Sequence, residues 1–213
     1  MKHGFIKVAA VTPEIRVADV AFNTQQICKM IDETVSKGAK VIVFPELCVT
    51  GYTCGDLFAH EVLINHAKEA LLEIAEYTKD KDALVFVGAP VSIKGKLYDA
   101  AVAFNKGEIL GITTKTYLAD HGEFDEKRRF CPGPKKAGEV LFAGKNVPFG
   151  PKLLFEANEM EALTVSAEIG EDAWALVSPS MEAVSEGATV IVNGSASAAV
   201  VNKTSYTSNF LAG

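Results

Sequence analysis

Lys40-Val41-Ile42-Val43-Phe44-Pro45-Glu46-Leu47-Cys48-Val49-Thr50-Gly51-Tyr52-Thr53-Cys54-Gly55-Asp56-Leu57 holds the reading that decides the fold. Residues 40–44 are mostly apolar and rich in β-branched side chains, the pattern of a buried strand. Pro45 closes that strand, because proline has no amide hydrogen to give to a sheet. Upstream, Phe5 to Val11 is a second compact apolar run that ends at Thr12-Pro13. Between the two, Asp19 is placed to cap a helix, Val20, Ile27, Ile31 and Val35 recur at helical spacing through Lys37, and Gly38 stops it. Strand, helix and strand joined by short connections predict a sheet covered by helices, an α/β fold.

Leu63, Ala67, Leu71, Ile74 and Thr78 mark a second helix, followed by Asp80-Lys81-Asp82 and a strand over Ala83 to Val87. Leu97 to Phe104 and Glu108 to Thr113 flank Asn105-Lys106-Gly107, which predicts an antiparallel hairpin whose turn uses the tolerance of Asn and Gly for positive φ. The segment from Pro132 to Pro151 is rich in Gly, Pro and Lys and reads as a run over the surface. Leu163 to Ile169 and Thr189 to Val192 read as later strands. Val200 to Gly213 begins a helical pattern without a closing element, so a truncated chain with an open sheet edge or apolar face is expected.

At 213 residues, 48% hydrophobic and 23% charged, the chain can bury one sizeable core, and 1–213 is read as a single domain. Net charge is -6 and the cations are dispersed apart from Lys127-Arg128-Arg129, read as solvated or salt-bridged, which argues against nucleic acid as a partner. No apolar run approaches the roughly 20 residues that span a bilayer, so no membrane partner is expected. Met1-Lys2-His3-Gly4 leads straight toward a strand rather than a secretory apolar region, and a cytoplasmic location is expected. Cys28, Cys48, Cys54 and Cys131 are too few and scattered for a disulfide scaffold, and no His pattern with ligand spacing joins them; they read as packed thiols with no metal site.

Three short motifs fall just after predicted strands, where loops can gather distant side chains over a rigid sheet: Phe44-Pro45-Glu46-Leu47, Thr114-Lys115-Thr116-Tyr117-Leu118 and Glu168-Ile169-Gly170-Glu171-Asp172. For a lone Glu or Lys at such a place, a surface ion pair is the plain alternative. In this order and with these flanks they resemble the carbon–nitrogen hydrolase (nitrilase) superfamily, whose catalytic set is Glu, Lys and Cys. Pro45 to Leu57, Gly122-Glu123-Phe124-Asp125-Glu126-Lys127-Arg128 and Ser195-Ala196-Ser197 are similar more narrowly to the glutaminase domains of glutamine-dependent NAD synthetases. The resemblance runs from about Ile6 to about Tyr206.

That resemblance implies an α/β, nitrilase-like α-β-β-α sandwich, C-terminally truncated. It gives Glu46 the role of general base and Lys115 that of the cation on the tetrahedral intermediate, with position 170 as the nucleophile. A thiol must lose its proton to attack a carboxamide, one carboxylate can take that proton and return it to the leaving ammonia, and the oxyanion needs donors already in place. Lys115 and the backbone N–H of Glu171 are the implied donors. Tyr52, Phe124, Glu171 and Ser197 match positions that line the glutamine pocket, His121 stands where the family usually has a phenol, and Glu126 lies in the region of a further acidic residue. The chain departs most sharply at Gly170, which has no side chain to form a thioester; Ala173 and Ala175 replace bulkier residues nearby, and Thr207-Ser208 replaces a basic pair after Tyr206.

The function implied is glutamine amide hydrolysis supplying ammonia for NAD synthesis, inactive as written, with an amidase or carbamoyl hydrolase and a silent scaffold of the same fold as alternatives. The implied partners are glutamine or a similar small amide and further copies of the chain. No cofactor is implied for this domain, and with no Ser-Gly-Gly-x-Asp-Ser pyrophosphate loop the synthetase half is absent.

Overall fold

The computed structural model describes residues 4–212. Met1-Lys2-His3, at the head of the stretch read above as leading into the first strand, and Gly213, the last residue of the predicted terminal helix, lie outside that range. Strand β1 (Lys7–Ala10), helix α1 (Val20–Ser36) and strand β2 (Ala39–Val43) realise the opening unit. Asp19 caps α1 by accepting the Phe22 N–H at 3.1 Å, and Gly38, at φ 85°, turns the chain out of the helix. Helix α2 (Glu61–Tyr77) precedes β3 (Leu84–Ile93), β4 (Lys96–Asn105) and β5 (Glu108–Thr114). β1, β2 and β3 are parallel, and β4 and β5 add to them as antiparallel neighbours.

The β4–β5 turn differs in detail from the sequence reading. Its left-handed residues are Lys106 and Gly107, at φ 47° and 87°, whereas Asn105 ends β4 and donates its amide to the Ala83 carbonyl at 2.9 Å. A larger difference lies in the segment from Pro132 to Pro151, which carries β6 (Gly138–Phe142) and β7 (Lys145–Gly150) as an antiparallel hairpin. β7 pairs with β5 and completes a seven-stranded sheet ordered β1-β2-β3-β4-β5-β7-β6. The composition concealed a period-two pattern: Phe142, Val147 and Phe149 are buried, and Phe149 meets Tyr98 edge to face at 5.1 Å.

The second sheet is smaller, ordered β10-β9-β8, from β8 (Leu154–Glu156), β9 (Thr164–Ile169) and β10 (Val190–Gly194). Its inner face, with Val165, Ala167, Ile169 and Val192, packs on Val41, Phe86, Ala101 and Ala103 of the first sheet. The first sheet's other face buries Ile42, Val85, Val87 and Val102 against Ile27 and Ile31 of α1 and Leu71 and Ile74 of α2. Each such aliphatic side chain stabilises the fold by roughly 1.5–3 kcal/mol. A short helix α3 (Pro179–Ser185), capped by Ser178 and absent from the sequence reading, packs on β9 and supplies the outer layer of an α-β-β-α arrangement. Helix α4 (Lys203–Ala212) follows, and no helix among the described residues is long and apolar enough to cross a membrane.

Candidate active site

The loop after β2 carries Glu46 inward because it lies flat on β3. Gly88 permits this: a Cβ there would stand 2.2 Å from the Pro45 carbonyl oxygen and 2.7 Å from the Glu46 Cα, too close for any other residue. Val49 N–H donates to the Gly88 carbonyl at 3.2 Å and secures the loop. Glu46 is 3% exposed and Lys115, one residue beyond β5, is 2% exposed. Lys115 Nζ donates to Glu46 Oε1 and, at 2.7 Å, to Glu126 Oε1. Such burial rules out a solvated surface pair for Glu46 and Lys115, and removing one partner of a buried pair typically costs about 3–5 kcal/mol.

Glu126 sits in a short 3-10 turn (Glu126–Arg128) and is saturated with donors: the Tyr52 hydroxyl at 2.7 Å, the Ala119 N–H at 2.8 Å and Lys115. Glu46 Oε2 accepts the Ala196 N–H at 2.9 Å, which ties the loop after β10 to the site. Burial lowers the affinity of Lys115 for its proton, but the carboxylates around it, Glu46 and Glu126 among them, more than reverse this, so Lys115 titrates above an ordinary lysine and is an ammonium ion at neutral pH. Burial, then the bond to Glu126, pushes the Tyr52 phenol upward.

Gly170 opens the 3-10 turn Gly170–Trp174 directly after β9, at φ 47°. A Cβ built there would lie 2.7 Å from Glu46 Oε2, so the carboxylate of Glu46 stands over the bare Cα. Asp172 fastens this turn to the Lys115 loop. Its Oδ1 accepts the Tyr117 N–H at 2.7 Å and the Thr116 N–H at 3.0 Å, and its Oδ2 accepts the Ile169 N–H at 3.3 Å. Burial pushes the Asp172 carboxyl up to about 7 against the pull of these donors.

Glu46, Lys115 and Gly170 meet at one cavity of about 180 Å³, whose wall also includes Glu171, Phe124, His121 and Ser197. Tyr52 is not on that wall; it reaches the site through Glu126 and its edge-to-face contact with Phe124 at 6.0 Å. Sequence reading missed Trp174 and Lys203, which line the mouth, where Tyr206 of α4 stacks on Trp174 at 5.5 Å. It also missed Asp99 and Asp172. Burial raises the Cys48 and Cys28 thiols to about 12, so neither offers a thiolate at neutral pH. Lys127, Arg128 and Arg129 are all engaged in ion pairs, with Asp120, Asp56 and Asp125.

Two facing sheets between helical layers, with a buried Glu–Lys pair at the strand ends, define a nitrilase-type hydrolase frame. The chain matches the carbon–nitrogen hydrolase family model over residues 7–211 and belongs to that family. It is 34% identical over 202 residues to the glutamine-dependent NAD(+) synthetase of Mycobacterium tuberculosis, and 33% identical over 195 residues to that of Aquifex aeolicus. These alignments cover 95% and 92% of this chain but 30% and 31% of the relatives, so the chain spans about a third of their length. The crystal structure of a glutamine-dependent NAD(+) synthetase from Cytophaga hutchinsonii superposes with a TM-score of 0.84 at 27% identity, over 96% of this chain and 33% of that one. An amidase of the nitrilase superfamily from Nesterenkonia shares the fold, with a TM-score of 0.75 at 19% identity over 99% of this chain and 72% of its own.

Proposed function

We propose that this chain is a glutaminase-type carboxamide site that lacks its nucleophile, holding glutamine or a similar small amide without forming a thioester. The convergence of Glu46, Lys115 and the Gly170 Cα on one cavity carries the reading. A thiol on position 170 would lie against Glu46, which would take its proton. The thiolate sulfur would then bond to the amide carbon while the carbonyl electrons move to oxygen, held by a Lys115 N–H and the backbone N–H of Glu171. Collapse would expel ammonia with the proton returned from Glu46, and water would later release the acyl group from sulfur. Gly170 lacks the sulfur that begins this sequence, and Glu46 and Lys115, which would serve the later steps, line the same cavity. The names of the relatives favour glutamine as the amide, and Lys203 and Glu171 at the mouth offer opposite charges for an amino acid's carboxylate and ammonium.

Titration calorimetry with glutamine, run beside an ammonia-release assay, tests the proposal. It expects a binding heat that Lys115→Met abolishes, and ammonia no faster than in buffer. Ammonia release well above buffer, lost in Glu46→Gln, would show that the chain hydrolyses amides by another nucleophile. Absence of any binding heat with glutamine would overturn glutamine as the ligand and leave the readings of another small amide and of a silent scaffold.

A further inference from the structure

Asp99 is a buried titratable side chain of the site that the mechanism above does not use. It lies on β4 directly opposite Lys115: the β4–β5 register pairs Ala100 with Thr114, and the Lys115 N–H donates to the Asp99 carbonyl at 2.9 Å. Its side chain is wholly buried, and neither carboxyl oxygen has a hydrogen-bond partner. Lys115 Nζ is 3.8 Å from Asp99 Oδ2, beyond hydrogen-bond reach. Oxygens of Glu46, Asp99 and Glu126 lie within 4.8 Å of one another, a spacing that would cage a cation, and the Lys115 ammonium is that cation. One ammonium cannot balance three carboxylates in a buried space, and Glu46 and Glu126 already take two of its three protons.

We infer that Asp99 is a positioning residue of this site, held as the neutral acid behind Lys115, which leaves the third Lys115 N–H free for the oxygen of a bound carboxamide. Burial and then the Glu46 charge push the Asp99 carboxyl well above the ordinary range, in keeping with that geometry. The groups facing it are Glu46 from the loop after β2, Lys115 after β5, Glu126 from its 3-10 turn and, more distantly, Tyr52. Were Asp99 ionised, it would compete for the third N–H and draw Lys115 back from the cavity. Its protonation stands on the geometry alone; the consequence for a ligand rests on the carboxamide reading above.

The sign of the linkage is fixed. An unfolded Asp titrates near about 3.9, so folding takes up a proton above that value, and Asp99 makes the fold about tenfold less favourable per pH unit until its own folded titration. Asp99→Asn, which imitates the neutral acid, removes that dependence. The test uses the full chain with and without this change: infrared spectra at pH 7, melting curves from pH 5 to pH 8, and glutamine calorimetry over the alkaline range. Expected are a protonated-carboxyl stretch that the variant lacks, a variant Tm higher by about 2–4 °C or more at pH 8 with the gap narrowing toward pH 5, and glutamine affinity that falls more steeply with pH in the unmodified chain than in the variant, the ligand's own ammonium titrating alike in both. No such stretch, with a variant that melts lower at pH 8, would show an ionised Asp99 supporting Lys115 and overturn the inference. If the variant does not fold, the band is read in Asp172→Asn, which removes the other acid that titrates upward: a protonated-carboxyl stretch that persists there upholds the inference, and its loss overturns it. If the band and the melting gap appear but glutamine binds neither chain, the protonation stands and the carboxamide reading falls.

Discussion

Gly170 sits at the centre of the candidate site, with the Glu46 carboxylate over its bare Cα. Its left-handed backbone and the carboxylate 2.7 Å from its notional Cβ mean that any side chain there is accommodated against strain. Gly170→Ala should lower stability by about 1–3 kcal/mol, read as a Tm drop of about 2–4 °C per kcal/mol. An unchanged Tm would show that the Glu46 carboxylate moves aside freely. Glu46 and Lys115 were legible in the sequence because each stands in a distinctive motif just after an apolar strand. Asp99 was not, since a single Asp within Leu97 to Phe104 looks like any polar interruption of a strand. The register counted from the turn would set Asp99 opposite Thr114; the irregularity between Ala103 and Phe104 shifts the pairing by one residue and brings Lys115 opposite it.

At the scale of elements, the site depends on how loops are held to strands. Asp172 joins the turn after β9 to the loop after β5 through backbone N–H groups. Asp172→Asn turns one acceptor into a donor that faces them, and leaving buried donors unpaired costs about 1–3 kcal/mol. Hydrogen exchange at the Thr116 and Tyr117 amides should accelerate, and unchanged exchange would remove Asp172 from its holding role. Gly88→Ala should be at least as harmful, because its Cβ would push on the backbone of Pro45 and Glu46. α1 was legible through spacing and caps, α2 through spacing alone, and β1 to β5 through apolar runs. β6 and β7 were hidden because Gly138, Gly144 and Pro148 mask the alternation of Val140, Phe142, Val147 and Phe149. α3 is too short for its seven residues to show a period.

At the scale of the whole molecule, two buried acids among the described residues titrate upward, Asp99 and Asp172, and they act in one direction. Each contributes stability that is fully present below about pH 4 and is lost as pH rises through its folded titration, about 7 for Asp172. The Tm should therefore fall between pH 5 and pH 8, and a flat or rising profile would contradict the burial of both groups as acids. The two-sheet sandwich followed from the family resemblance more than from periodicity, since strands in both sheets are equally apolar and nothing local says which sheet a strand joins. That Gly170 is a vacated nucleophile position is tested most directly by intact mass spectrometry of Gly170→Cys after incubation with a glutamine-like electrophile, with the unmodified chain beside it. One stoichiometric adduct on residue 170, absent from the unmodified chain and slowed in Glu46→Gln, is the predicted result; no adduct at 170, or equal labelling of both chains at Cys131, would contradict it.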